Sequence, residues 1–240
     1  MKLNDIKEID NLLNEDRILN LNALGRIKFN QNYNIKVDEL KKGFLLQLDY
    51  WHVVYSGTDH VAEELIRCID TKTEKGFSGV GVKYYQLAKK HHEIKWEEPC
   101  YLYYLEEHNL NTSLLKHCVD SLTEKDAELV NEFYTYKDEN SIGYIRDCII
   151  SRPSSVVRDE QGTPVSWALI REDGSMGVMY TLKEHRGQGY ANSVSVDLAK
   201  KAFELGLTPY VHIVKGNTPS VKLAENLGFK FHCDVMWFGI

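Results

Sequence analysis

The chain has 240 residues, 43% hydrophobic and 27% charged, with a formal net charge of −6. This is long enough to bury a substantial core, and the balance is that of an ordinary globular protein. The acidic charge excludes a general nucleic-acid binder, and no apolar run approaches the roughly 18 residues of a membrane span.

The start, MKLNDIKEID, is polar and mixed in charge, unlike a signal peptide, so a cytoplasmic protein is expected. The next residues continue a helix-like pattern, NDIKEIDNLLNED. KGFLLQLDYWHVVYSG reads as two short strands, and Asp59 is placed to cap a helix in which Val61, Leu65, Ile66 and Ile69 recur at helical spacing. GVKYYQLAKKHHEI predicts another helix and the aromatic-rich EPCYLYYLEEH a strand. The HHE at 91–93 lacks the i, i+4 spacing of a helical metal pair and reads as solvated surface. Cys68, Cys100, Cys118, Cys148 and Cys233 are odd in number, scattered and without a C-x-x-C pair. Neither a disulfide framework nor a zinc site is expected, and no metal is assigned.

A seam is expected at the polar stretch HNLNTS, dividing residues 1–110 from 111–240. Beyond it, LLKHCVDSL reads as a strand and TEKDAELVNEFY as a helix with Thr123 as cap and Asp126 three residues on. SIGYIRDCII predicts a second helix. Three strands follow within residues 154–182, separated by turns at Gln161-Gly162 and Asp173-Gly174. Ala191, Val194, Leu198, Ala202 and Leu205 mark one face of a long helix that Gly206 ends. TPYVHIVKG is a strand, Asn217 or Thr218 caps a last helix ended by Gly228, and FKFHCDVMWFGI is a final strand. The fold class expected is α/β (α+β), with a mixed, mostly antiparallel sheet flanked by helices.

The stretch EHRGQGYA, residues 184–191, sits between a strand and the long helix. A helix start leaves N–H groups without partners and favours anions, and glycine lets a phosphate approach the backbone. Arg186 would add a charge-assisted contact. No G-x-x-x-x-G-K-[ST] is present, and Asn192 stands where G-x-G-x-x-G needs its third glycine. The residues alone fit a pyrophosphate site and a tight glycine turn about equally.

RGQGYA (186–191) resembles the pyrophosphate loop of the GNAT superfamily of acyl-CoA-dependent N-acyltransferases. NTPSVKLAENLGF (217–229) resembles that superfamily's last helix, and the element order agrees from about Leu114 onward. GTPVSW (162–167), YTLKEHRGQG (180–189), LTEKDAELVNEFY and a strand bearing His212 ahead of Asn217 resemble the glycine N-acyltransferase family in particular. Residues 1–110 resemble it only in element order, as a degenerate copy of the same fold would.

The resemblance implies acetyl-CoA or another acyl-CoA as cosubstrate, a small amine or amino acid as acceptor, and direct attack of the amine on the thioester. It implies that Met179, Tyr180 and Thr181 offer backbone groups to the pantetheine arm and the thioester. Arg186, Gly187, Gln188, Gly189, Tyr190 and Ala191 would hold the pyrophosphate, with Asn217 and Ser220 bordering the CoA arm. Two positions depart from the family. Ser175 stands where relatives carry the general-base glutamate, and Ala224 where many carry a tyrosine that protonates the leaving thiolate. His212 shares a strand face with Tyr210 and Val214 and has a suitable imidazole, so the catalytic candidates are His212, Ser175 and Tyr180. Glu172, Asp173, Glu184 and His185 read as turn residues. Arg146 and Arg158 are cations with no assigned place. The competing readings are a catalytically silent CoA-binding or regulatory protein, and a structural domain in which the glycines only turn the chain. A homodimer is left open.

Overall fold

The computed structural model describes residues 2–240, with side chains from residue 7 onward. The chain divides into two compact units. The first holds residues 1–103, 212–217 and 231–240, and the second holds 104–211 and 218–230. The sequence reading placed a single seam at 110/111, whereas two C-terminal stretches return to the first unit.

The first unit begins with α1 (Lys2–Glu15) and α2 (Leu21–Phe29), continues through β1 (Asn34–Val37), β2 (Gly43–Gln47) and β3 (Trp51–Ser56), and adds α3 (Asp59–Arg67), β4 (Gly76–Gly81), α4 (Val82–His91) and β5 (Trp96–Tyr104). With β9 (Tyr210–Val214) and β10 (Lys230–Gly239), its strands form a sheet of order β1-β2-β3-β4-β10-β5-β9. β2 pairs antiparallel with β1 and β3, β10 pairs antiparallel with β4, and β3 pairs parallel with β4.

Apolar residues at helical spacing bury one face of α3 (Val61, Ala62, Leu65, Ile66), as its periodicity requires. Thr58 takes the cap position, and Asp59 is the first helical residue, where its charge still favours the helix start. α2, β1 and β4 were not read from sequence. β4 is GFSGVG, and glycine is a poor strand signal, yet all six residues are buried. Gly79 has φ +59°, and a Cβ there would lie 2.1 Å from His212 Cε1, so this glycine makes room for an imidazole.

The second unit enters α5 (Ala127–Glu132) through a capping box in which Thr123 N–H donates to Asp126 Oδ2 at 2.7 Å. Asp126 also accepts two hydrogen bonds from Arg158, at 2.9 and 2.8 Å. α6 (Ser141–Ser151) follows, then β6 (Ser154–Arg158), β7 (Pro164–Ile170) and β8 (Met176–Thr181) in an antiparallel three-stranded sheet. Ile145, Cys148, Ile149, Val156, Trp167 and Leu169 form its core with Ala127 and Val130.

The strand expected over LLKHCVDSL is absent. Only Asp120 pairs, with Val156, while Ser193 Oγ accepts the N–H groups of Lys116 and His117 and Ser154 Oγ accepts that of Leu122. Side-chain hydroxyls have taken donors that a ladder would need. α7 (Tyr190–Glu204) buries Val194, Leu198 and Ala202, but Leu205 lies beyond the helix and is exposed. Gly206, at φ +69°, ends it, and α8 (Thr218–Leu227) closes the unit. No helix among the described residues is long and apolar enough to cross a membrane.

Candidate functional site

Three parts of the second unit converge: the end of β8, the loop after it, and the first turn of α7. β8 carries a bulge. Trp167 pairs with Tyr180 and Leu169 with Gly177, so two steps on β7 meet three on β8. The extra residue falls at Val178–Met179, and Val178 has φ +49°. Positive φ is an outlier for a β-branched residue, and such strain concentrates at functional sites. A bulge also leaves its extra residue outside the ladder, which gives the strand a backbone N–H for another partner.

In the loop, Gly187 and Gly189 have φ +77° and +83°. A Cβ at Gly187 would meet nothing within 4 Å, and at Gly189 only His117 Nε2, at 3.7 Å. Close packing therefore does not explain these glycines; their left-handed backbone does. Gly189 is the N-cap of the 15-residue helix α7, and its carbonyl accepts from Ser193 N–H at 3.2 Å. The N–H groups ahead of Ser193 precede the helical ladder and point out of its start. A concave run of backbone donors with the helix dipole behind it suits an anion.

Arg186 does not lie along the loop. Its Nε donates to the Thr181 carbonyl at 3.1 Å and its guanidinium sits 5.3 Å above the Tyr180 ring. Tyr180 in turn stacks on Phe133, 4.6 Å between centroids and 20° between planes, so its side chain packs in the apolar layer.

Beside the bulge lies a cavity of about 100 Å³ lined by Phe133, Tyr134, Thr135, Tyr136, Arg171, Val178 and Met179. Arg171 is the one charged side chain in that lining. It reaches the cavity by crossing Gly177, where a Cβ would stand 2.7 Å from Arg171 Cδ. Its Nε donates to Tyr144 Oη at 3.2 Å, and Tyr144 donates to Glu172 at 2.6 Å. Burial works against the Arg171 charge, but Tyr144, Asp173 and Glu172 more than offset it and hold the group cationic. Burial likewise raises the Tyr134 and Tyr144 hydroxyls, which stay protonated.

Ser175 is buried, and both its N–H and Oγ donate to Asp173 Oδ1, at 2.9 and 2.6 Å. It is part of the β7–β8 turn. Met179, Tyr180, Thr181 and residues 186–191 come together in the second unit, which also holds Ser220, whereas His212 and Asn217 belong to the first. There, Trp237 Nε1 donates to His212 Nδ1 at 3.1 Å, so the neutral ring carries its proton on Nε2. Arg146 and Arg158 are engaged by Glu128 and Asp126. Ala224 is buried. Sequence reasoning missed the bulge, Arg171, the aromatic residues Phe133, Tyr134 and Tyr136, and His117, whose Nε2 donates to the Gln188 carbonyl at 2.9 Å. Gly177, placed where a side chain must cross, was the available signal for Arg171.

Residues 156–238 match the family model described as FR47-like protein. Among solved structures, a Drosophila protein is similar over 100% of this chain and 96% of its own, at TM-score 0.81 and 14% identity. A GCN5-related N-acetyltransferase from Kribbella flavida is similar at TM-score 0.63 and 14% identity, over 92% and 94% of the two chains. At such identities the likeness is one of fold. Among curated proteins, the glycine N-acyltransferase of Bos taurus is 31% identical over 110 residues, 45% of this chain and 37% of that one. That of Mus musculus is 34% identical over 113 residues, 47% and 38%. The chain thus matches less than half the length of these relatives.

Proposed function

We propose that the FR47-like domain of GNAT fold in the C-terminal part of this chain acts as an acyl-CoA-dependent N-acyltransferase. The observation that carries this reading is the pair of positive-φ glycines, neither of them closely packed, at the start of α7 and directly after the bulged strand. The loop and the α7 start would take the pyrophosphate of acetyl-CoA. The bulge at Val178–Met179 would offer a backbone N–H to the thioester oxygen, where negative charge develops as the tetrahedral intermediate forms. Direct attack needs only the thioester, a neutral amine and a place for one proton.

The cavity beside the bulge suits the acceptor. Its size fits a small molecule, its walls are aromatic, and Arg171 would pair with a carboxylate. The same cation would disfavour an ammonium nearby and so raise the neutral fraction of the amine, which is small for a free amino acid at pH 7. A small amino acid is therefore the acceptor class proposed, in keeping with the names of the curated relatives. Ser175, bonded to Asp173, is not assigned as base, and water takes the proton in this reading.

Calorimetric titration with acetyl-CoA is the first test, followed by thiol release with amino acids and simple amines. Micromolar binding with turnover supports the enzyme. Binding without turnover on any amine would favour a silent CoA-binding protein, a reading motivated by the buried Ser175. No binding to acetyl-CoA, CoA or a longer acyl-CoA would remove both.

A further inference from the structure

Residues 114–117 belong to no strand or helix longer than a single turn, yet they are clipped to the cradle at several points. Ser193, in the first turn of α7, accepts the N–H groups of Lys116 and His117 at 3.1 and 3.3 Å and donates to the Leu114 carbonyl at 3.4 Å. From that anchored segment the His117 ring packs edge-on against Tyr190, 4.5 Å between centroids. Its Nε2 donates to the carbonyl of Gln188, the residue between the two left-handed glycines.

A peptide is planar, so a hydrogen bond to the Gln188 oxygen also sets where the Gly189 N–H points. Gly189 forms one end of this peptide, at φ +83°, and gives its plane a rotational freedom that a residue with a side chain would not. If it turned, a carbonyl oxygen would face the anion in place of a donor. We infer that His117 is a positioning residue that orients the Gln188–Gly189 peptide so that its N–H faces a pyrophosphate. The inference rests on the acyl-CoA reading above and adds a residue from a distant, irregular segment. The Nε2–H donor exists in the Nε2–H neutral tautomer and in the imidazolium alike, so the brace holds whether or not the ring is charged.

The test compares His117→Ala with His117→Gln, whose amide can still donate, in the full chain. CoA affinity by calorimetry is expected to fall about tenfold in His117→Ala, the worth of one oriented hydrogen bond, and to recover in His117→Gln. In turnover assays, KM for acetyl-CoA should rise by the same factor with kcat within about twofold. S-acetylpantetheine, which has no pyrophosphate, should be used equally well by wild type and variant. Equal losses on both thioesters, or unchanged CoA affinity in His117→Ala, would overturn the inference while leaving the enzyme reading intact. A wild-type protein that does not bind CoA would instead sink the reading beneath it.

Discussion

Gly177→Ala tests the acceptor site without touching a charged group. The added Cβ would lie 2.7 Å from Arg171 Cδ and 3.3 Å from Cγ, against roughly 3.5–4.0 Å for a comfortable carbon contact. The arginine stem must therefore retreat by about 1 Å. Its Nε sits 3.2 Å from Tyr144 Oη, near the limit of a hydrogen bond, and that retreat breaks it. Forced repacking costs about 1–3 kcal/mol, partly offset by the ~0.5–1 kcal/mol gained on replacing glycine within a strand. The expected net loss is about 1–2 kcal/mol, or a fall in Tm of about 2–8 °C for a chain of this size. A guanidinium moved by about 1 Å should lower kcat/KM for glycine by tenfold or more, while CoA affinity and turnover of a simple amine without a carboxylate stay near wild type. Thermal melting and steady-state kinetics with both acceptors read these effects separately. A lowered Tm with kcat/KM for glycine unchanged would refute the role given to Arg171. An unchanged Tm would refute the packing argument itself.

Two further predictions concern the rest of the unit. Gly189→Ala meets only His117 Nε2, at an ordinary contact distance of 3.7 Å, but must hold φ +83°, so it should cost about 1–2 kcal/mol and weaken CoA binding, whereas Gly143→Ala, exposed on α6 with nothing within 4 Å, should gain ~0.5–1 kcal/mol; paired denaturant melts and a titration check the opposite signs. Burial pushes the Asp126 carboxyl up, but donors from Arg158 and Thr123 bring its pKa below the ordinary value. A depressed folded pKa contributes stability above the unfolded value of about 3.9 and loses it as pH falls through the folded one. Asp126→Asn should therefore be less stable than wild type near neutrality, by about 1 kcal/mol or more from the weakened charge-assisted hydrogen bonds to Arg158, and the gap should close below about pH 4 in a series of melts.

What could be read from the sequence was whatever leaves a local signature. The Asp173-Gly174 hairpin, the Thr123 cap and the apolar stripes of α3 and α7 each depend on residues a few positions apart, and the loop glycines announce a backbone that other residues avoid. What could not be read depends on distant partners. LLKHCVDSL looks like a strand until Ser193, 77 residues beyond Lys116, takes its N–H groups. β4 hides behind glycines because one of them yields its space to His212. The bulge is silent because valine is a strand former and nothing local predicts a positive φ at Val178. Arg171 sits in a turn-like REDGS, and only the crossing of Gly177 carries its guanidinium to the cavity.

The position of β10 in the first unit bears on how the protein is made. This strand lies between β4 and β5, and Phe238 stacks on Phe77, about 160 residues earlier in the chain. On a ribosome, β1 to β5 emerge first and must wait, with the flank of β4 uncovered, until the final strand is synthesised. β4 and β5 are thus among the last strands to complete their native pairing, although β1 to β3 can pair with each other and with β4 beforehand. A fragment ending near residue 110 would present two exposed strand edges in place of a finished sheet, which makes it a poor candidate for separate expression and a natural client for a chaperone.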